Sequence, residues 1–308
     1  YRNKQSEKRE LKQIFGVTDD LKLSLNSIKV LKERYLAKNE NGEIIETPSE
    51  LFLRVAKKVA EIDKNYDEID ERETEKNFFN AMIKRDFLPN SPTLMNAGLN
   101  TPQQLSACFV LPIADSLESI FESVKNMALI HKSGGGTGFS FSHIRPKGDI
   151  VKTTKGIASG PLSFMNVFDE TTDVVKQGGR GRGANMGVLR FDHPDILDFI
   201  SAKNNDGDFS NFNLSVAVTD DFMKAVKEDE KIDLVNPRMN KRVKQVAARN
   251  IFDLITYQAW KTGDPGLLFL DEVNRYNPTP SVGNIESTNP CGETPLLPYE
   301  SCNLGSIN

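Results

Sequence analysis

Apolar residues recur at helical spacing early in the chain and in shorter, mixed patterns later. Leu51–Ile62 (LFLRVAKKVAEI) places them on one helical face, behind Thr47-Pro48-Ser49-Glu50, which reads as a helix start. Asp67–Ile83 carries a second helical pattern, and Asn39–Glu43 (NENGE) reads as a turn. Further along, helical patterns over Ser116–His131, Pro161–Val175, Pro194–Ala202 and Asn250–Lys261 alternate with strand-like runs. Those runs are Gly138–Ser142, Asn185–Phe191, Asn211–Val218 (NFNLSVAV) and Leu267–Leu270. Strands alternating with helices predict βα units, a parallel sheet and an α/β fold.

Composition divides the chain near residue 86. Of the first 86 residues 36 are charged, against 46 of the remaining 222, and 19 of the 21 glycines lie in the later part. The early part therefore reads as solvated amphipathic helices. With 308 residues and 38% hydrophobic content, the chain can bury a sizeable core, which excludes global disorder. No apolar run reaches the roughly 20 residues that span a bilayer, and no signal-peptide pattern is evident. A net charge of −4 argues against a general nucleic-acid binder. Three cysteines, an odd number, argue against a secreted disulfide scaffold and point to a reducing cytoplasm.

Three segments carry candidate chemistry. Gly134-Gly135-Gly136-Thr137-Gly138 lacks the Gly-Lys-Ser/Thr of a phosphate loop, and its order, helix then strand, is the reverse of the dinucleotide fingerprint. It reads either as a turn where backbones approach closely or as a backbone surface for a sugar or base. Lys176–Asn185 (KQGGRGRGAN) is a cationic loop whose arginines suit phosphate, or a mobile surface loop, or an RNA-binding Gly-Arg tract, the last being weaker for one copy in an acidic chain. Asn289-Pro290-Cys291-Gly292-Glu293, with Cys302 following, is the sharpest signal. If extended, it brings a thiol, a carboxylate and an amide within reach of one small ligand. Zinc is disfavoured because the cysteines lack close spacing and no histidine lies near. A cysteine protease needs a histidine base, and His131, His143 and His193 read as packing or capping residues.

The Asn289–Glu293 string with Cys302 resembles the finger loop of the ribonucleotide reductase catalytic chain. Phe87–Gly98 (FLPNSPTLMNAG), leading to Ser106-Ala107-Cys108, is similar to that family's substrate-phosphate segment. Asp115-Ser116-Leu117 and Arg145 fall where the family contacts its effector nucleotide. Motifs in this order cover roughly residues 25–308. The resemblance implies a ten-stranded α/β barrel, of which this sequence supplies the first half and the finger loop. Residues 1–86 would form an N-terminal helical region and residues 87–308 the half-barrel with the effector site.

The resemblance also implies roles. Cys291 would become the thiyl radical that removes the 3′ hydrogen of the ribose. Cys108 and Cys302 would be the dithiol that reduces the 2′ carbon. Glu293 would act as base on the 3′ hydroxyl, and Asn289 would bind the sugar. Ser91, Ala107 and Gly136 would contact substrate. Asp115, Ser116, Leu117, Arg145, Lys176 and Gln177 would serve the dNTP or ATP effector, Lys176–Asn185 linking effector identity to base choice. No metal ligand set is expected in this chain. The Asn-Pro-Cys-Gly-Glu form resembles the adenosylcobalamin-dependent class; the alternative is a radical supplied by a separate metal-containing subunit.

Expected partners are the ribonucleotide substrate, a thioredoxin-like reductant, a second copy, and the chain or segment that completes the barrel. The homodimer would pair helices around Ser116–His131 and Pro161–Val175. The second half-barrel, with its later phosphate-binding loop and C-terminal cysteines, is expected to lie outside this sequence, which runs six residues past Cys302. Neither a membrane nor direct nucleic-acid contact is expected. The competing function is a nucleotide-binding regulatory or scaffold fragment that keeps the effector site without turnover.

Overall fold

The computed structural model describes residues 15–66, 70–100, 104–150, 155–178, 183–205 and 207–308, with side chains of 176–178 outside that description. The chain divides into two compact units. One comprises the residues up to Ala107 together with Asn303–Asn308; the other is Cys108–Cys302. The compositional shift near residue 86 falls inside the first unit.

The first unit is helical. Its elements are α1 (Leu25–Arg34), α2 (Pro48–Ala60), a 3-10 turn (Glu61–Asn65), α3 (Glu71–Lys84), β1 (Phe87–Pro89) and α4 (Ser91–Asn96). Helix α2 starts as expected: Thr47 Oγ1 accepts from the Glu50 N–H while Glu50 accepts from the Thr47 N–H. This reciprocal cap satisfies two of the first-turn donors. The apolar stripe of α2 (Leu51, Phe52, Val55, Ala56) meets Ile28, Leu36, Met82 and Leu94 in a separate core. Arg54, on the same helix, pairs with the nearly buried Glu46 at 2.9 Å and donates to Leu94 O and Ala97 O at the end of α4. Asn39–Glu43 forms the expected turn, closed by the Asn39 N–H on Glu43 O at 2.9 Å. The last strand, β12 (Gly305–Ile307), returns to pair antiparallel with β1.

The second unit alternates strand and helix: β2 (Cys108–Val110), α5 (Leu117–Lys132), β3 (Gly136–Ser140), α6 (Pro161–Gly178), β4 (Asn185–Arg190), α7 (Ile196–Ile200) and β5 (Phe212–Val218). Then come α8 (Asp220–Glu228), β6 (Lys231–Asn236), β7 (Lys241–Ala247), α9 (Ala248–Thr262), β8 (Gly266–Phe269) and α10 (Leu270–Arg275). Strands β2, β3, β4, β5 and β8 pair in parallel in that order, each with its neighbour. Strand β11 (Ser301–Cys302) adds antiparallel on the β2 edge, and the hairpin β9 (Ser287–Thr288) with β10 (Pro295–Leu296) stands apart as its own ladder. This is the parallel α/β alternation that the sequence pattern predicts, and it agrees with the half-barrel that the family resemblance implies.

Strand alternation assigns two faces to the sheet. Phe139, Leu189, Phe212, Leu214 and Val216 point to the helices and meet Phe168, Met165 and Ile120 in the main core. Phe139 packs edge-on against Phe168 with ring centroids 4.8 Å apart. The opposite face carries Met186, Val188 and Ala217, which form a smaller cluster with Leu268 and Leu270. Gly136 and Gly138 also lie on that face.

Three expectations shift. The third strand begins at Gly136 rather than Gly138 and ends at Ser140, because pairing with β2 and β4 overrides the weak strand preference of glycine. The helix expected over Pro194–Ala202 is confined to five residues, Ile196–Ile200. The β6–β7 hairpin is missed from sequence, because exposed lysines and arginines hide its alternation. Among the described residues no helix is long and apolar enough to cross a membrane.

Replacing Thr47 with alanine is expected to cost about 1 kcal/mol. Urea denaturation should show a lower midpoint with unchanged slope.

Candidate active site

The site is built on the sheet face that carries Gly136 and Gly138. Cys108 opens β2, and its register partner across the antiparallel ladder is Cys302 on β11. Directly opposed residues of such a ladder have Cα atoms about 4.5–5.5 Å apart, inside the range that a disulfide spans. On the other side of Cys108 its register partner is Gly136. All three cysteines are free thiols: Cys108 buried, Cys302 partly covered and Cys291 exposed.

Cys291 sits in the loop between β9 and β10. The sequence argument for Asn289–Glu293 holds if the segment is extended; the structure makes it a turn. The Gly292 N–H donates to Asn289 O at 3.1 Å, and Gly292 has φ +85°. Asparagine first, proline second and glycine fourth is a favoured turn order, since proline presets its φ and glycine tolerates a positive one. The fully buried Asn289 then ties both ends of the loop. Its N–H donates to Thr294 O at 3.1 Å, and its Oδ1 accepts from the Thr294 N–H at 3.0 Å. The turn still presents Cys291 and Glu293 outward while burying Asn289.

The loop lies directly on the sheet. A Cβ at Gly136 would stand 2.5 Å from Pro290 Cγ, one at Gly138 would overlap the Thr288 carbonyl, and one at Gly292 would meet Met186 at 3.5 Å. The glycine-rich segment is thus a place of close backbone approach, with protein backbone on top of it. From β5, Asn213 Nδ2 donates to Pro290 O at 2.7 Å. Sequence reading did not single out Asn213. Its signal was a polar residue amid the apolar positions of NFNLSVAV, on the face opposite Phe212 and Leu214.

Desolvation dominates the charges here. Burial pushes the Cys108 thiol up to about 12, with Cys302 and Glu293 adding to the rise. The Asn289 carboxamide pulls the other way through its dipole, although Asn289 Nδ2 completes no hydrogen bond among the described residues. Cys291 is also raised, first by desolvation, then by Glu293 and Cys302. Both thiols are therefore protonated at neutral pH.

The other expected positions fall as follows. Ser91 opens α4 in the first unit, its hydroxyl 2.8 Å from Tyr35 Oη, and Ala107 ends that unit's first stretch. Asp115 and Arg145 pair with each other, Arg145 Nε donating to Oδ2 at 2.8 Å and the Arg145 N–H to Oδ1 at 3.1 Å. Ser116 caps α5 by accepting from the Ser119 N–H, and Leu117 beside it is exposed. Lys176 and Gln177 close α6, but their side chains, like residues 179–182, lie outside the described residues. His131 and His193 pack as expected: His131 sits 3.2 Å from Thr137 Oγ1, and His193 lies against Ile144 O at 2.9 Å. His143 does neither; it is half-exposed and pairs with Glu286 at 2.7 Å, which raises its pKa.

Comparison with known families agrees with this geometry. The ribonucleotide reductase barrel domain matches residues 106–308, and the ribonucleotide reductase all-alpha domain matches residues 21–102. The chain belongs to the ribonucleotide reductase family. It is 52% identical to the vitamin B12-dependent ribonucleoside-diphosphate reductase of Thermoplasma acidophilum, over the whole of this chain and 47% of that protein. It is 50% identical to the protein of the same description from Mycobacterium tuberculosis, over the whole of this chain and 44% of the relative. It is 31% identical to the ribonucleoside-diphosphate reductase subunit alpha of Helicobacter pylori, over 89% of this chain and 37% of that one. The chain thus spans less than half the length of these curated relatives.

Alkylation should read the buried thiol. Iodoacetamide is expected to modify Cys108 far more slowly than free cysteine at pH 8. The rate should rise about tenfold per pH unit from pH 8 to pH 10, because only the thiolate reacts. Mass mapping of the modified peptides checks this, and a plateau near pH 9 would contradict it.

Proposed function

We propose that this chain is the catalytic part of a ribonucleoside diphosphate reductase, which converts ribonucleotides to 2′-deoxyribonucleotides for DNA synthesis. The carrying observation is the placement of Cys108 opposite Cys302 across one ladder, with the Cys291 loop seated on the same sheet face. Family membership and the names of the relatives support the substrate class.

Each residue has work suited to its surroundings. Cys291, protonated and exposed, is placed to give up a hydrogen atom and then take one from the ribose 3′ carbon. Glu293 takes the 3′ hydroxyl proton and returns it to that oxygen at the end of the cycle. The 2′ hydroxyl leaves as water, using one proton from the Cys108/Cys302 pair. That pair supplies two electrons and its second hydrogen to the 2′ carbon and ends as a disulfide, and Cys291 returns its hydrogen to the 3′ carbon. The balance is one ribonucleotide and two thiols in, one deoxyribonucleotide, one water and one disulfide out. Asn289 turns a buried carboxamide toward Cys108, and its free N–H can serve the sugar or the departing oxygen.

Adenosylcobalamin, when bound, supplies the one-electron oxidant for the Cys291 S–H. Cys291 fits that need, since it is the exposed thiol of the three and stands at the turn of its loop. The names of the relatives favour this group over a metal-containing second subunit. Asp115, Ser116, Leu117 and Arg145 form the proposed effector site at the start of α5, where unsatisfied helix N–H groups favour a phosphate; Lys176 and Gln177 join it by resemblance. Ser91, Ala107 and Gly136 are the proposed substrate contacts. The remaining partners proposed are a segment that completes the barrel, a second copy and a thioredoxin-like reductant acting in the cytoplasm.

Cys291→Ser in the intact protein should abolish deoxynucleotide formation. Cys108→Ser or Cys302→Ser should abolish disulfide formation during a single turnover, read by mass spectrometry; deoxynucleotide from the Cys291→Ser protein would sink the proposal. With reductant supplied, turnover of the intact protein should need added adenosylcobalamin and no separate radical-generating subunit. Activity only with a metal-containing partner would reverse the cofactor assignment.

A further inference from the structure

The loop carrying Cys291 is gripped from one side by its own ladder and from the other, among the described residues, by one side-chain hydrogen bond. On the near side, β9 and β10 pair through only two register positions, Thr288 with Pro295 and Ser287 with Leu296. Asn289 closes the loop internally through Thr294. None of these bonds holds the far edge of the turn against the sheet. Pro290 touches β3 through its ring over Gly136, and Gly292 lies over Met186 of β4. Both are van der Waals contacts, which resist approach but not withdrawal.

Asn213 differs in kind. It stands on β5, one strand beyond Met186, in register with that residue. Its Nδ2 donates to Pro290 O at 2.7 Å, a short and directional bond. Pro290 O belongs to the peptide unit whose nitrogen is that of Cys291, so the bond fixes the backbone one covalent link from the thiol-bearing residue. The side chain neighbours of Asn213 along its strand, Phe212 and Leu214, are buried in the helix-side core, so β5 itself is a rigid base. Asn213 alone of these three faces the loop and is exposed.

We propose that Asn213 is a positioning residue for the thiol of Cys291: by holding the Pro290 carbonyl, it sets where the sulfur stands for hydrogen-atom transfer. The inference rests on the reading of Cys291 as the radical thiol. Hydrogen-atom transfer depends steeply on distance, and a misplacement of about 1 Å can cost roughly 100-fold in rate. The bond of Asn213 goes to the loop backbone and not to the sulfur, so its loss should appear in turnover more than in substrate affinity.

The test uses the intact native protein and two variants, Asn213→Ala and Asn213→Asp. Aspartate keeps the shape, but its carboxylate cannot donate to the carbonyl. Both variants are expected to lower kcat by roughly 10- to 100-fold with KM within about twofold of wild type. In resting enzyme without substrate, iodoacetamide should modify Cys291 faster in both variants, while buried Cys108 keeps its wild-type rate. An unchanged Cys108 rate and an unchanged melting temperature separate lost positioning from general loosening. Wild-type kcat in Asn213→Ala, or Cys108 and Cys291 becoming reactive together, would overturn the proposal. The alkylation arm needs no turnover. If the wild-type protein makes no deoxynucleotide, the functional reading fails by itself, and Cys291 reactivity still decides the role of Asn213.

Discussion

The site depends on backbone lying against backbone. At Gly138 a single added carbon would occupy the space of the Thr288 carbonyl, and at Gly136 it would press on the Pro290 ring. Only strands without side chains at these points let the β9–β10 hairpin settle on the sheet. Once settled, the loop has no room to slide along the sheet, and the Asn213 bond to Pro290 O adds what its short ladder lacks. The same closeness excludes water from Asn289 and Cys108, so the electrostatics of the site follow from the packing of two glycines.

Desolvation then decides the chemistry the thiols can do. A thiolate nucleophile is usually made by cationic neighbours or a helix N-terminus. Here the neighbours of Cys108 and Cys291 are Glu293, Cys302 and an amide, and two of these oppose further negative charge. The surroundings keep hydrogen on sulfur. That suits transfer of hydrogen atoms and two-electron reduction, and it works against acyl or alkyl transfer by a charged sulfur. The protease reading needs a histidine base, and the three histidines bond elsewhere, His131 at Thr137, His193 at Ile144 O and His143 at Glu286.

Much of the fold was legible in the sequence because the parallel sheet is buried on both faces and written in apolar residues. Asn185–Arg190 and Phe212–Val218 were visible for that reason, and the cap at Thr47 because its residues act within one turn. Elements defined by distant partners were not legible. Strands β2, β11 and β12 have two or three residues each, and their existence depends on what they pair with. Cys108, Cys291 and Cys302 were found by motif, and the glycines by their density. The turn at Pro290 is written in plain turn residues, whereas the shared reach of thiol, carboxylate and amide follows from the sequence only if the segment is extended. Asn213 had only its polarity to mark it, and the carbonyl it holds lies 77 residues away in the chain.

The second unit begins at Cys108 and ends at Cys302, so the chain enters and leaves it at the two members of the opposed pair. A bond between those sulfurs turns the whole unit into a closed covalent ring of on the order of 200 residues. Closing so large a ring removes freedom from the unfolded chain worth roughly 5 kcal/mol on the loop-entropy scale. On the proposed reaction, each oxidation of the pair would also fasten the domain and each reduction would unfasten it, so that the form ready to react would be the one with its ends untied.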